Sequence, residues 1–154
     1  MAEQQAPEFM IEGARLIFRN FAGAETRYNA KGERNFCVVL DPDTAQGLEL
    51  AGWNVRVLEP REEGDEPTPY IQVKVSFKNK PPRIVVLTST GRTHLSEDRV
   101  EMLDYAELEN VDLIARGFVW EVNGKVGTKA YLQSMFVTLR EDALERKYAQ
   151  DPTD

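Results

Sequence analysis

The chain has 154 residues, of which 42% are hydrophobic and 29% charged, and its formal net charge is −7 at pH 7. This length predicts a single domain with its own hydrophobic core. A single cysteine, Cys37, excludes an intramolecular disulfide and favours a reducing, cytoplasmic setting. With only one histidine, His94, zinc sites that need several Cys or His ligands are excluded. A negative charge spread evenly would argue against non-specific nucleic-acid binding, so its distribution matters.

The first third of the chain predicts β-structure followed by a helix. Polar residues 1–9 predict a flexible arm that does not resemble a signal peptide. A strand is expected over Ile11–Phe21, a loop over 22–34 and a short strand over Asn35–Leu40. Asp41 as N-cap, with proline at the next position, predicts a helix that ends near residue 52.

The middle of the chain alternates short strands with polar loops. Strands are expected over Trp53–Leu58, Tyr70–Phe77 and Arg83–Thr88, of which the second alternates strictly between apolar and polar residues. Residues 59–69 are rich in acids and proline and predict an exposed loop, while a turn is expected over residues 90–92. Ser96 is expected to cap a second helix or a helical turn across 97–109.

The last third predicts one long hairpin and a tail. Strands Val111–Val122 and Gly127–Leu139 flank Asn123-Gly124, a strong signal for a type I′ turn. A short helix is expected over Glu141–Ala149 within an acidic tail, 141–154. With about seven strands, two or three short helices and no strand–helix–strand rhythm, the chain predicts a mainly β Greek-key barrel of the oligonucleotide-binding (OB) type over residues 10–140. No apolar run is long enough to predict a membrane span.

The charges are segregated along the sequence. Residues 14–38, 70–96 and 116–140 are basic, and the second of these windows has five cations and no carboxylate. Acids concentrate in 59–66, in 97–112 and in the tail. Solvated outer faces of strands would explain mixed charge, but they explain 27 residues without a carboxylate less well.

Signals for catalysis are weak. The chain has no phosphate-binding G-x-x-x-x-G-K-[ST], no G-x-S-x-G and no H-E-x-x-H sequence. The carboxylate pairs Glu62/Glu63 and Glu97/Asp98 lie in acidic, solvated segments, Cys37 is expected in the core and His94 in a surface loop. We therefore predict no enzyme, no metal and no cofactor.

The aromatic residues leave two interpretations open. Strand parity places Arg116, Phe118 and Trp120 on one face, and Lys129 and Tyr131 come close to them if no bulge changes the parity of the returning strand. A basic surface with stacking aromatics is typical of single-strand binding, but a core face has a similar pattern. Tyr28, in a polar loop, favours a contact role. The remaining phenylalanines considered are expected in the core: Phe18, Phe36, Phe77 and Phe136.

Three stretches resemble a family of small proteins of tailed bacteriophages. They are R-N-F-C-V-V-L-D (34–41) followed by G-W-N-V (52–55), Y-I-Q-V-K-V-S-F (70–77), and N-V-D-L-I through W-E-V-N-G-K-x-G-x-K-A-Y-L (110–132). The resemblance covers roughly residues 10–148 and implies single-stranded-DNA binding on an OB-like fold. It also implies a tail that recruits replication or recombination proteins, although this tail is only modestly acidic and lacks a terminal phenylalanine.

We therefore expect sequence-independent binding of single-stranded DNA in phage replication, recombination or repair. The residues predicted to bind are Arg15, Arg19, Arg27, Tyr28, Lys31, Arg34, Lys74, Lys78, Lys80, Arg92, Arg116, Trp120, Lys129 and Tyr131. One alternative is a protein–protein interaction module or a phage accessory or structural subunit, with the basic face against an acidic partner. A nucleic-acid-processing enzyme is a third, less favoured hypothesis. Sheet edges leave room for a homodimer through strand pairing.

Overall fold

A computed structural model describes residues 7–78, 80–144 and 147 and shows a mainly β protein. Its nine strands are β1 (Glu8–Ile11), β2 (Arg15–Asn20), β3 (Arg34–Val39), β4 (Val55–Leu58), β5 (Thr68–Val75), β6 (Arg83–Thr88), β7 (Gly91–His94), β8 (Leu108–Val122) and β9 (Lys125–Leu139). The helix α1 spans Pro42–Leu50, and a 3₁₀ turn spans Val100–Asp104. Within the described ranges, no helix is long and apolar enough to cross a membrane.

All nine strands belong to one mixed sheet. Its main path runs β1-β8-β9-β5-β3-β2, with β4 on β5 and the β6–β7 hairpin on β9. The pairs β5–β9 and β6–β9 are parallel, and the other pairs are antiparallel. Since β1 and β2 end the path without pairing with each other in the described part of the chain, the sheet is open. The predicted mainly β class is confirmed, the count of about seven strands is wrong, and the predicted OB-like barrel is not closed.

Alternate residues of the central strands form one core. Phe36 and Val38 of β3, Val73 of β5, and Leu113 and Met135 of β8 and β9 are almost completely buried. The residues between them on the same strands point to the opposite side of the sheet, which we call the outer face. Phe36 is confirmed as a core residue, and Phe77 packs partly buried against the core.

Two local signals are confirmed at single-residue level. The Asp41 carboxylate accepts hydrogen bonds from the Thr44 backbone N–H and hydroxyl, both at 2.8 Å, and so caps α1. Asn123 and Gly124 have φ values of 52° and 81°, as a type I′ turn requires, and they join two strands of 15 residues each.

The predicted first strand is divided in two. The chain turns at Gly13, where φ is 63° and the N–H donates to the Asp112 carboxylate at 2.9 Å. This turn allows β1 to pair with β8 and β2 with β3. The strand β1 begins at Glu8, within the segment 1–9 predicted as an arm, and residues 1–6 lie outside the described residues.

Of the helix or helical turn predicted across 97–109, only a helical turn forms. Ser96 bonds to Asp98, but the only helical segment there is the 3₁₀ turn, whose Val100 and Leu103 are buried in the core. Leu108 already begins β8, so tertiary packing rather than helix propensity decides this segment.

The turn predicted at residues 90–92 lies one residue earlier, at Ser89-Thr90, and His94 belongs to strand β7 rather than to a loop. Residues 143, 144 and 147 within the helix predicted over Glu141–Ala149 are helical, and most of the acidic tail lies outside the described residues. At the base of the tail, the Glu141 carboxylate accepts hydrogen bonds from the Ser89 N–H at 2.8 Å and from its hydroxyl at 2.6 Å.

Candidate nucleic-acid interface

A bulge on β9 determines which side chains of the long hairpin face outward. Ile114 pairs with Ser134, but Ala115 pairs with Leu132, so Gln133 is an additional residue on β9. Met135, which follows the bulge in the sequence, is buried in the core. Because the bulge reverses the parity of β9, Tyr131 lies on the outer face although it has the same odd parity as Met135.

The outer face of the hairpin brings together four residues singled out from the sequence. Arg116 pairs with Tyr131 across the two strands, and Phe118 pairs with Lys129. The rings of Phe118 and Tyr131 meet edge to face with centroids 6.2 Å apart, and the Phe118 side chain is 59% exposed. A core position for Phe118 is therefore excluded, and this end of the hairpin combines exposed π surface with two cations.

Next to this cluster lies a depression of about 420 Å³, which we call the hairpin groove. Arg116 donates a hydrogen bond to the Lys80 carbonyl at 3.3 Å, which ties the segment after β5 to β8. The groove is lined by Ser76, Lys78, Lys80, Arg116, Phe118 and Tyr131. Three cations thus surround two aromatic rings.

A smaller depression of about 150 Å³, the central cleft, continues the outer face across β5. Strands β5 and β9 run parallel at this point, and Lys74 pairs with Tyr131. Arg56 of β4 and Lys129 of β9 also line the cleft. Positive charge therefore extends from the hairpin towards β4.

A third and larger depression, about 910 Å³, lies over β2, β3, β4 and β5, and we call it the bulge groove. It shares Arg56 and Gln72 with the central cleft. Its aromatic lining residues are Phe18, Tyr28, Tyr70 and Tyr105. The prediction that Phe18 lies in the core is wrong, since its side chain is 58% exposed. The bulge groove and the central cleft are therefore continuous, and the hairpin groove lies beside the central cleft, where Lys74 pairs with Tyr131. We refer to the three depressions together as the groove.

The groove is almost free of negative charge. Among the residues that line its three depressions, Asp104 is the one carboxylate. Both of its oxygens accept backbone hydrogen bonds, from the Phe21 N–H at 2.6 Å and the Ala22 N–H at 3.0 Å. The acids that give the chain its negative total therefore lie elsewhere, and a polyanion meets little repulsion here.

Two predicted binding residues have partners within the protein. The Arg19 guanidinium donates to the carbonyls of Leu103 and Ala106 at 2.8 and 2.9 Å. Arg34 forms a salt bridge of 3.3 Å with Glu97, and its guanidinium lies 5.9 Å from the centre of the Phe77 ring. These contacts hold the 3₁₀ segment and its flank against the sheet.

The remaining predicted cations are dispersed. The loop between β2 and β3 carries Arg27, whose guanidinium lies 5.7 Å from the ring centre of Tyr28, and an exposed Lys31. Tyr28 itself is 89% exposed. Arg15 lines a separate hollow beside β8, and Arg92 lies in β7 opposite Leu87. Neither Arg15 nor Arg92 lines the groove.

Trp120 is neither a core residue nor part of the groove. It pairs with Gly127 across the hairpin, and its ring lies so close that a Cβ on this glycine would approach within 2.5 Å of Cζ2. The indole N–H is buried without a hydrogen-bond partner among the described residues. The ring therefore covers the glycine backbone near the end of the hairpin.

The described residues include no group of three or more His, Cys, Asp or Glu side chains placed to hold a metal ion. Cys37 lies on the outer side of β3, buried at the floor of the bulge groove, and burial raises the pKa of its thiol to about 11. A group that stays protonated over the physiological range is a poor nucleophile.

The sequence matches, over residues 1–154, the family described as "putative phage ssDNA-binding domain". The chain belongs to this family. The match confirms the predicted resemblance and the predicted class of function, and the family is one in which an open, basic and aromatic groove is expected. No significant match is found among curated protein sequences.

Solved structures with a similar fold come from the same functional class. The single-stranded DNA-binding protein from bacteriophage Enc34, in complex with ssDNA, is 13% identical and superposes with a TM-score of 0.56 over 92% of this chain and 98% of that chain. A C-terminal truncation of the Enc34 protein gives a TM-score of 0.55 with 13% identity, over 92% and 98% of the two chains. The likeness extends the family assignment to the backbone fold.

Four residues of the groove were missed by the sequence prediction. Arg56 stands alone between apolar neighbours on β4, outside the three basic windows, although alternation of Val55, Arg56 and Val57 could have indicated a one-sided strand. Tyr70 and Tyr105 carry no local signal of exposure. Phe18 has an apolar strand context that indicates burial, and only the bulge in β2 turns it outward.

Proposed function

We propose that this family member binds single-stranded DNA along the outer-face groove, without sequence preference. The proposal rests on one observation above all: six cations line neighbouring depressions of the outer face together with two aromatic rings, and the one carboxylate among the lining residues already accepts two hydrogen bonds. The cations are Arg56, Lys74, Lys78, Lys80, Arg116 and Lys129. Cations along a groove track phosphates, while exposed rings stack with unpaired bases.

The hairpin end supplies the first base-binding position. Phe118 and Tyr131 present π surface at the groove, and stacking on such rings contributes about 1–3 kcal/mol per base, largely independent of base identity. Only an unpaired base offers its faces to these side chains, so the arrangement favours single strands over duplex DNA. Arg116, which lies against Tyr131, is placed to pair with the phosphate next to a stacked base.

Of the residues predicted from the sequence, we assign direct contact to Lys74, Lys78, Lys80, Arg116, Lys129 and Tyr131, with Arg27, Tyr28 and Lys31 of the flanking loop as contacts at the far end. Arg19 and Arg34 support the groove through their internal bonds. Arg15 and Arg92 lie away from it and Trp120 does not line it, and we give these three residues no part in binding.

We further propose that the fold is an open variant of the Greek-key OB barrel. Its role would be non-enzymatic binding in the host cytoplasm during phage replication, recombination or repair. Partner recruitment through residues 141–154 and a homodimer formed through strand pairing remain proposals for the same molecule.

A protein-interaction surface is the second candidate function. Val119 and Val126 lie on the same face near the tip of the hairpin, since Val126 pairs with Glu121, and each is more than half exposed. In this alternative, the exposed tip of the hairpin binds a protein partner, and DNA binding is not part of the function.

Salt dependence of binding to oligo-dT tests the proposed function. Six phosphate contacts would give a slope of log K against log[salt] of about −4. In the triple variant Lys74→Ala/Lys78→Ala/Arg116→Ala the slope should become shallower by about 2. The control Arg15→Ala/Arg92→Ala removes cations outside the groove and should bind as the wild type does. Binding that is absent at low salt, or that is independent of salt, would exclude the proposal.

A further inference from the structure

Strand β2 carries a strained aromatic residue, Phe18, which has no role in the proposed function. Ile17 pairs with Cys37 and Asn20 with Asn35, so β2 advances three residues while β3 advances two. Phe18 lies in this bulge with φ of 51°, a left-handed conformation that is rare and costly for a bulky side chain.

Burial of the side chain does not compensate for the backbone strain at Phe18. The Phe18 side chain is 58% exposed, and its ring meets the Tyr70 ring edge to face with centroids 5.9 Å apart. A strained residue whose ring remains in solvent gains little from packing, so stability of the fold does not explain its conformation.

The segment around the 3₁₀ turn holds the chain that follows the bulge. Arg19, the residue after Phe18, donates to the Leu103 and Ala106 carbonyls, and Asp104 accepts from the Phe21 and Ala22 N–H groups. Four hydrogen bonds thus fix the backbone on the C-terminal side of Phe18, and they leave its ring pointing outward into the bulge groove.

Other exposed aromatic rings surround the same groove. Tyr105 is 85% exposed and Tyr28 is 89% exposed, and both line it together with Phe18 and Tyr70. Arg56 lies where this groove joins the central cleft. Aromatic rings next to a cation and continuous with the proposed DNA path have the chemistry of a base-stacking position.

We propose that the bulge groove is a second base-stacking station, in which Phe18, Tyr70 and Tyr105 receive unpaired bases of the strand already held at the hairpin. The inference rests on the proposed function and adds a second, separate contact region to it. Between Tyr131 on β9 and Phe18 on β2 lie three strand-to-strand steps, a distance of about 14 Å. A short oligonucleotide therefore occupies one station, and a long one occupies both.

The variant Phe18→Gly separates binding from stability. Glycine adopts positive φ readily, so the variant removes the ring and the strain together. We expect its melting temperature to equal or exceed that of the wild type. Its affinity for an oligo-dT of about sixteen nucleotides should fall about tenfold, while its affinity for one of about two nucleotides, which is too short to reach from the hairpin to the bulge groove, should be unchanged.

Two further variants complete the test. Tyr105→Ala removes an exposed ring and should reproduce the selective loss for the long oligonucleotide. Leu50→Ala removes an exposed apolar side chain on α1, away from the groove, and should bind both lengths as the wild type does.

The inference is overturned if Phe18→Gly binds the long oligonucleotide with wild-type affinity. It is also overturned if this variant melts well below the wild type, because the ring would then serve packing. Failure of the proposed function is a different result, in which neither the hairpin variants nor salt changes the binding of either oligonucleotide.

Discussion

Arg116 and Tyr131 lie side by side on the outer face because Gln133 is an additional residue in β9. Without this bulge, the odd residues of β9 that follow the pattern of Met135 and Val137 would all face the core. Between the bulge and the turn, the odd residues of β9 therefore face outward instead of into the core. This places the Tyr131 ring beside the Arg116 cation of β8.

The first prediction concerns the stacking surface of Tyr131. Tyr131→Ala should weaken binding to oligo-dT by about 1–3 kcal/mol, because a base loses its stacking partner. Tyr131→Phe keeps the ring and should retain most of the affinity. Fluorescence anisotropy with a labelled oligonucleotide measures both. Equal affinity of the alanine variant and the wild type would show that the ring does not contact a base.

How far the sequence predicts the site depends on the kind of signal. The Asn123-Gly124 turn and the two strands beside it are encoded locally, so Arg116, Phe118, Lys129 and Tyr131 could be grouped from the sequence. The bulge at Gln133 could be named only as an open alternative, because a single additional residue depends on how the two strands pack against the rest of the sheet.

The bulge groove was predicted poorly because contacts between residues far apart in the sequence determine which side chains line it. The outward position of Phe18 depends on hydrogen bonds to residues more than 80 positions away, such as Asp104. The same long-range contacts limit the helix or helical turn predicted across 97–109 to a 3₁₀ turn. Local propensity carries no information about such partners, and Arg56 is missed because its companions come from other strands.

The second prediction concerns close packing between Trp120 and Gly127. A Cβ at residue 127 would lie 2.5 Å from Trp120 Cζ2 and 2.7 Å from Asn54 Oδ1. We expect Gly127→Ala to lower the free energy of unfolding by about 1–3 kcal/mol, measured by urea denaturation.

Gly47→Ala on α1 is the matched control, because its Cβ would meet no atom within 4 Å. Alanine is the better helix former, so this control should be as stable as the wild type or up to about 1 kcal/mol more stable. If both variants behaved alike, the ring would not pack on residue 127.

The third prediction concerns the reactivity of Cys37. Because burial raises the pKa of the thiol to about 11, very little thiolate is present at pH 8. A thiol reagent should therefore modify the native protein slowly at this pH and the urea-unfolded protein rapidly. Rapid modification of the native protein would show that the floor of the bulge groove opens to solvent.

The fourth prediction concerns pH and the cap of α1. Hydrogen bonds from the Thr44 backbone N–H and hydroxyl lower the pKa of the Asp41 carboxyl below its usual 3.8. The charged cap therefore adds stability that is complete above 3.8 and is lost as the pH falls through the lower folded-state value.

Asp41→Ala should accordingly melt below the wild type at neutral pH, and the difference in melting temperature should shrink as the pH falls well below 4. Thermal melts of both proteins across this range measure the effect. A difference that is constant down to the lowest pH would mean that the charge of Asp41 contributes nothing to the cap.

The fifth prediction connects stability with binding at Asp104. Its two oxygens accept from the Phe21 and Ala22 N–H groups, and Asp104→Asn replaces one acceptor by a donor that faces an N–H. We expect the free energy of unfolding to fall by about 1–3 kcal/mol, and the exposed neighbour Glu101→Gln, as control, to leave it unchanged.

Since these bonds hold the Phe18 bulge, the asparagine variant should also lose affinity for long oligo-dT at temperatures where it is fully folded, and it should keep its affinity for short oligo-dT. Loss of stability with unchanged long-oligonucleotide affinity would show that Asp104 supports the fold without positioning the second station.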